Sequence, residues 1–259
     1  MQFGLLNVRG SSIERNKFFT SLVQTDETKK VSCITKNSDG ILVPTCNWNN
    51  TEEWKTLSGG LIKDKDVINR VSKETGVSSR MIVASVAPEQ LRYFTSNRES
   101  FKKYFEPLKI LSSLSKFSLG VSGIKQETAV QIENNLKNSF SPFYIGKEFE
   151  NIITYPDNQD RDTVLYNRLT DPKDHYYSYL YTALFIKQIQ SQWKNAGYNV
   201  DARPDVIVTL FNIGFKQSIP KPNPKMGGAN ITLGSQTYSF GELGTIFYNS
   251  EELADVFPK

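Results

Sequence analysis

From residue 64 onward, hydrophobic positions recur mostly at helical spacing. Val67, Ile68 and Val71 give one apolar face to a segment that starts at Asp64 and stops near Gly76. Ser78 is suited to cap a second helix, with Met81, Ile82, Val86 and Leu91 turned inward. Pro88 lies inside that run and predicts a kink, because it has no backbone N–H to donate and crowds the preceding turn. Ser96 to Lys116 reads as one or two helices packing through Phe101, Tyr104, Phe105, Leu108 and Leu111. A glycine-containing turn then runs into a helix within FSLGVSGIKQETAVQIENNL. After an irregular aromatic stretch from Pro142 to Asp160, the longest helical pattern covers about Lys173 to Ala196 and is stopped by Gly197. A further helix spans about Pro204 to Asn212. Beyond the Pro- and Gly-rich IPKPNPKMGGAN, the stretch ITLGSQTYSFGEL reads as a short hairpin leading into a small helix.

The first 64 residues differ. They are polar, carry a turn signal at Asn37–Gly40 between two β-rich runs, and reach a break at Ser58-Gly59-Gly60 after Trp48 and Trp54. The expected division is therefore an N-terminal region with a hairpin (1–64) and a larger domain (65–259) that ends in a short β tail. The expected class is α+β, mainly α. Cys33 and Cys46 flank the hairpin turn, so a disulfide is expected, and with it an oxidising compartment. No basic leader followed by an apolar run is visible at the start, and no stretch is apolar for the roughly 18 residues that a transmembrane helix needs.

Composition changes this picture little. The chain is 38% hydrophobic, enough for a core, and its net charge of +4 is spread among acids. Without a basic face, nucleic acid is not an expected partner. The single histidine, His175, argues against a Ser-His-Asp triad or a multi-histidine zinc site; it reads as an exposed residue at the start of the long helix. No phosphate-binding loop follows Gly227-Gly228 or Gly241. No metal or cofactor is expected.

Glu89 is the leading candidate for chemistry. It lies near Pro88 on a largely apolar helix, with Ser85 and Tyr93 one turn away on the same face. Burial disfavours an ionised carboxyl, so such a group can donate a proton near neutral pH. The plain alternative is a surface carboxylate paired with Arg92 at i+3.

Two further segments bear on that choice. Gly120, Val121, Ile124, Thr128 and Ala129 fall in register with the G-L-M-Q-I-x-P-x-T-A segment of lytic transglycosylases and goose-type lysozymes. Thr209-Leu210-Phe211-Asn212-Ile213-Gly214 resembles the A-Y-N-A-G motif of the same family, and RLTDPKDHYYSYLYTALFIKQIQSQW between them looks like its long helix with the preceding D-P loop. The resemblance covers about residues 65–215. It implies a lysozyme-like helical domain that cleaves peptidoglycan glycan strands, with Glu89 as the acid. Gln90, Ser118, Gly120, Ser122, Gly123, Ile124, Phe211 and Asn212 would line the sugar cleft. It implies too that a transglycosylase needs no second carboxylate, whereas a hydrolase would draw one from Glu99, Glu106, Asp157 or Asp160. The expected location is periplasmic or extracellular. Four residues depart from the family pattern. Gln90 stands for a serine, Ser122-Gly123 for Met-Gln, and Phe211 for the motif tyrosine. A member that binds glycan strands or a wall-remodelling partner without cutting is therefore the alternative.

Overall fold

A computed structural model describes residues 34–40, 42–44, 47–96 and 121–259. Cys33, Cys46, Ser118, Gly120, Glu99, Glu106 and the helices expected over 96–116 lie wholly or largely outside those residues. The described chain is mainly helical, with two short antiparallel hairpins. None of its helices is long and apolar enough to cross a membrane.

The first hairpin joins β1 (Ile34–Lys36) to β2 (Leu42–Pro44), with Thr35 opposite Val43. The Asn37 carbonyl accepts the Gly40 N–H at 3.0 Å, and the Asn37 side chain accepts the Asp39 N–H. That is the turn chemistry the sequence predicts.

α1 (Glu52–Lys63) corrects the expected break at Ser58-Gly59-Gly60, for the helix runs straight through it. Thr51 caps it by accepting the Trp54 N–H, while Trp54, Leu57 and Leu61 form a buried i, i+3, i+7 stripe. Burying that stripe outweighs the ~1 kcal/mol that each glycine costs in a helix. α2 (Lys65–Thr75) follows after the single joint residue Asp64 and ends on Gly76 in the left-handed conformation, φ 72°. Both helices pack on the same core, which runs from Trp48 to Phe257.

α3 (Ser79–Ser96) continues past Pro88 without a break. Pro88 leaves the Ala84 carbonyl without its helical donor. The C-terminal helix α8 (Phe240–Asn249) closes on that point through Gly244, where a Cβ would stand 2.5 Å from the Ala84 oxygen and 2.6 Å from a Val208 methyl. After the turn at Val121–Ile124 come α4 (Gln126–Lys137) and α5 (Arg161–Thr170). The long α6 (Tyr176–Asn195) packs against α2, α3, α4, α5 and α7 (Pro204–Ile213). The second hairpin, β3 (Asn230–Leu233) with β4 (Gln236–Ser239), turns Ile231 and Leu233 inward, and β3 lies on α3. Ser239 and Glu242 form a reciprocal capping box at the start of α8.

Arg80 is the unexpected member of the core. It is fully buried and donates to the carbonyls of Phe247 (2.7 Å), Tyr248 (2.7 Å), Glu252 (3.1 Å), Phe257 (3.2 Å) and Ser250. Its guanidinium satisfies the orphan carbonyls at the end of α8, where the helix dipole favours a cation. Burial pulls its pKa below the ordinary arginine value.

Candidate active site

Glu89 sits in the second half of α3 and is only 8% exposed. Burial pushes its carboxyl above the ordinary carboxylate range, against the opposing pull of Arg92 and Lys125. Arg92, one turn further along, places Nη2 2.6 Å from Glu89 Oε1, and its side chain is 40% exposed. The i+3 pairing read from the sequence is therefore present, but its acid is buried rather than on the surface. Arg92 has another contact as well.

The turn at 121–124 lies directly on this carboxyl. A Cβ on Gly123 would come within 2.7 Å of Glu89 Cγ and Oε1, and Gly123 has φ 66°. Both facts require glycine there. Gln90, the next residue on α3, is fully buried and donates its side-chain N–H to the Val121 carbonyl, which ties the turn to the helix. Gln90 was expected to contact substrate; its amide nitrogen instead holds the wall of the site. Lys125, exposed at the N-cap of α4, adds a second cation beside the acid.

Four buried side-chain polar atoms among the described residues lack a hydrogen-bond partner: Ser85 Oγ, Gln90 Oε1, Ser122 Oγ and His175 Nε2. Three of the four belong to α3 and the turn over Glu89. Each such atom costs on the order of 1–3 kcal/mol, and a folded chain tolerates that mainly where polar groups are kept for another purpose.

Not every expected site residue joins this group. Ile124 is buried and supports the turn from below the surface. Asn212, near the end of α7, accepts the Ala229 N–H at 2.9 Å and abuts Gly228; Thr209 accepts the Gly227 N–H at 3.1 Å. Phe211 packs edge-on against Phe185 at 5.3 Å. Among the described residues no hydrogen bond links Phe211 or Asn212 to Glu89. What connects the motifs is the packing of α7 on α3. Asp160 is exposed and caps α5 by accepting the Thr163 N–H, and Asp157 is exposed too.

Two polar centres went unread in the sequence. Glu133 is buried on α4 and accepts from Tyr155 at 2.6 Å, from Tyr181 and from Arg161. Burial and the bond to Glu133 push the Tyr155 hydroxyl up to about 12. The signal for it was an acid on the apolar stripe Ala129, Ile132, Leu136. The other centre corrects the placement of His175, which is buried at 8% exposure. Its Nδ1 lies 2.7 Å from Asp64 Oδ2, an oxygen that also accepts from Tyr179 at 2.7 Å, so the joint between α1 and α2 is tied to the start of α6. No group of three or more His, Cys, Asp or Glu among the described residues is arranged to hold a metal ion. Comparison of the chain with protein-family models, with curated proteins and with solved structures gives no match.

Proposed function

We propose that the protein cleaves the β-1,4 bond between N-acetylmuramic acid and N-acetylglucosamine in peptidoglycan, with Glu89 as the general acid. One observation carries the reading: the buried carboxyl of Glu89 lies against Gly123, within the turn that resembles the family's cleft wall through Val121 and Ile124. Burial raises the Glu89 carboxyl above the ordinary range, so it keeps its proton to higher pH than an exposed acid and can pass it to the leaving glycosidic oxygen. In the transglycosylase form, C1–O4 breaks and the muramyl 6-hydroxyl closes on C1. The proton of that hydroxyl returns to the Glu89 carboxylate, so no second carboxylate is needed. In the hydrolytic form, water takes the place of the 6-hydroxyl. A periplasmic or extracellular site of action belongs to the same proposal.

A second reading, binding without cutting, draws support from the Arg92 contact, because a carboxylate 2.6 Å from a guanidinium favours the ionised form. Mass spectrometry of purified sacculi digested with the protein separates the two. Soluble muropeptides with 1,6-anhydro ends support the transglycosylase form, and reducing ends support the hydrolase. Sacculi that retain the protein yet release nothing would leave the binding reading.

A further inference from the structure

The contact between Glu89 and Arg92 involves one carboxyl oxygen only: Arg92 Nη2 lies 2.6 Å from Oε1. The turn over the site approaches from the same side. A Cβ added to Gly123 would meet Cγ and Oε1 at 2.7 Å and Cδ at 2.9 Å before it met Oε2. Oε2 accepts no hydrogen bond from the described residues, and it is not among the sealed polar atoms of the site, Ser85 Oγ, Gln90 Oε1 and Ser122 Oγ. The small exposure of the Glu89 side chain, 10%, therefore includes this oxygen. One oxygen is held and the other is open.

A protonated carboxyl is asymmetric: one oxygen is a hydroxyl that donates, the other a carbonyl that accepts. A guanidinium offers only donors, so the oxygen it faces is the carbonyl, the stronger acceptor of the two, and the proton goes to the other. We propose that Arg92 is a positioning residue for the acid: by holding Oε1 it confines the proton of Glu89 to Oε2, the oxygen on the open side of the site. Arg92 keeps its place throughout, and a further interaction ties it to more than the acid. Oε2 gives its proton to the leaving oxygen as C1–O4 breaks, and the proton of the muramyl 6-hydroxyl, or of water, returns to it. In between, the carboxylate carries its new charge beside Arg92, and the bond at Oε1 becomes one between two ions. Among the described residues, Arg92 from the same helix and Lys125 from the start of α4 are the charged groups that act on Glu89. Both favour the ionised form, and burial outweighs them. Arg92 therefore limits how tightly the proton is held as well as where it sits. The proposal rests on the reading of Glu89 as the acid.

Two measurements test it, and only one needs catalysis. Infrared difference spectra taken across a pH titration isolate the C=O stretch of protonated Glu89, identified by its loss in Glu89→Gln. Arg92→Met removes the donor to Oε1, so the band should move to higher wavenumber, and Arg92→Lys should leave it between the two. An unmoved band in Arg92→Met would show that the guanidinium does not hold the carbonyl oxygen of the acid, and would overturn the proposal. The second measurement follows muropeptide release from sacculi against pH. Arg92→Met should lower the maximal rate by about tenfold to a hundredfold, the loss of one charged hydrogen bond that orients the acid. It should also move the alkaline limb to higher pH, because a cation that favours the ionised form is gone. Arg92→Lys, which keeps the charge but not the planar fork, should keep the wild-type limb and recover only part of the rate. A role in folding alone predicts lower rates with the alkaline limb unmoved in Arg92→Met. That result, or an unchanged maximal rate, would contradict the proposal. Absence of release by every protein at every pH would defeat the reading of Glu89 as a catalyst, and the infrared band would still decide which oxygen carries the proton. Should Arg92→Met not fold, Arg92→Lys carries both comparisons, and a band at the wild-type position would then overturn the proposal.

Discussion

Glu89 is held between two opposing influences, burial that favours its protonated form and Arg92 that favours its ionised one, and burial is the larger. Because its folded pKa is raised above the unfolded value, the folded protein binds the proton more tightly. Stability attributable to this group is present at low pH and is lost as pH rises from the ordinary carboxylate range through the raised value. Glu89→Gln removes that loss. The variant should match the wild type in acid and become the more stable of the two toward neutral pH, as read from urea denaturation across the range. Parallel stability profiles would mean that Glu89 ionises in the fold as freely as in the unfolded chain. Gly123 belongs to the same scale. Gly123→Ala adds a Cβ 2.7 Å from the Glu89 carboxylate and forces a side chain onto a backbone at φ 66°. The expected cost is about 1–3 kcal/mol in stability with a fall in cleavage. A change within ~0.5 kcal/mol, typical of neutral surface substitutions, would show the turn to be looser than described.

At the scale of elements, α3 is where the fold and the site meet. Its first turn carries Arg80 into the end of α8, and its last turns carry Glu89 and Gln90 to the 121–124 turn. Replacing Arg80 with Met removes a charged donor from five carbonyls at the C-terminal turn, of which Phe247 keeps the Ser250 N–H and hydroxyl. Bonds from a charged group contribute about 1.5–3 kcal/mol each, so a loss of about 3 kcal/mol or more is expected in urea unfolding. A loss below ~1 kcal/mol would show that water replaces the guanidinium without penalty. Such a residue is not legible in a sequence, because the Phe247 carbonyl it binds lies 167 positions away. The helices that did read correctly, α2, α3, α4, α6, α7 and α8, are those with a clear apolar period or a distinct stop or start signal such as Gly76, Gly197 and Pro204. α1 was hidden by Gly59 and Gly60, whose local preference lost to the burial of Trp54, Leu57 and Leu61. His175 read as exposed because its partner Asp64 is brought to it only by the packing of α2 on α6.

At the scale of the whole molecule, one core among the described residues extends from Trp48 to Phe257, and the C-terminal turn closes back on Trp48 and α1. Glu252 accepts from Asn49 at 2.7 Å and from the Trp54 indole at 3.0 Å, which pins that closure. The nearness of Glu89 to the 121–124 turn was expected from the register of Val121 and Ile124, whereas Gly123 departs from that pattern and its contact with Glu89 was not legible. The surroundings of Asn212 were not legible either, since its partners Gly228 and Ala229 come from a Pro- and Gly-rich stretch with no pattern of its own. The core fixes α3 against its neighbours, and the site takes its rigidity from that packing. On the proposed reading, catalysis depends on a single proton, so the decisive measurement compares wild type with Glu89→Gln. Both proteins are incubated with the same sacculi, released muropeptides are quantified by mass spectrometry, and circular dichroism and sacculus binding serve as controls. The account predicts that Glu89→Gln stays folded and bound while release falls by about 10²–10⁴-fold, the usual contribution of a general acid. Equal release from the two proteins would contradict it and move the acid away from Glu89.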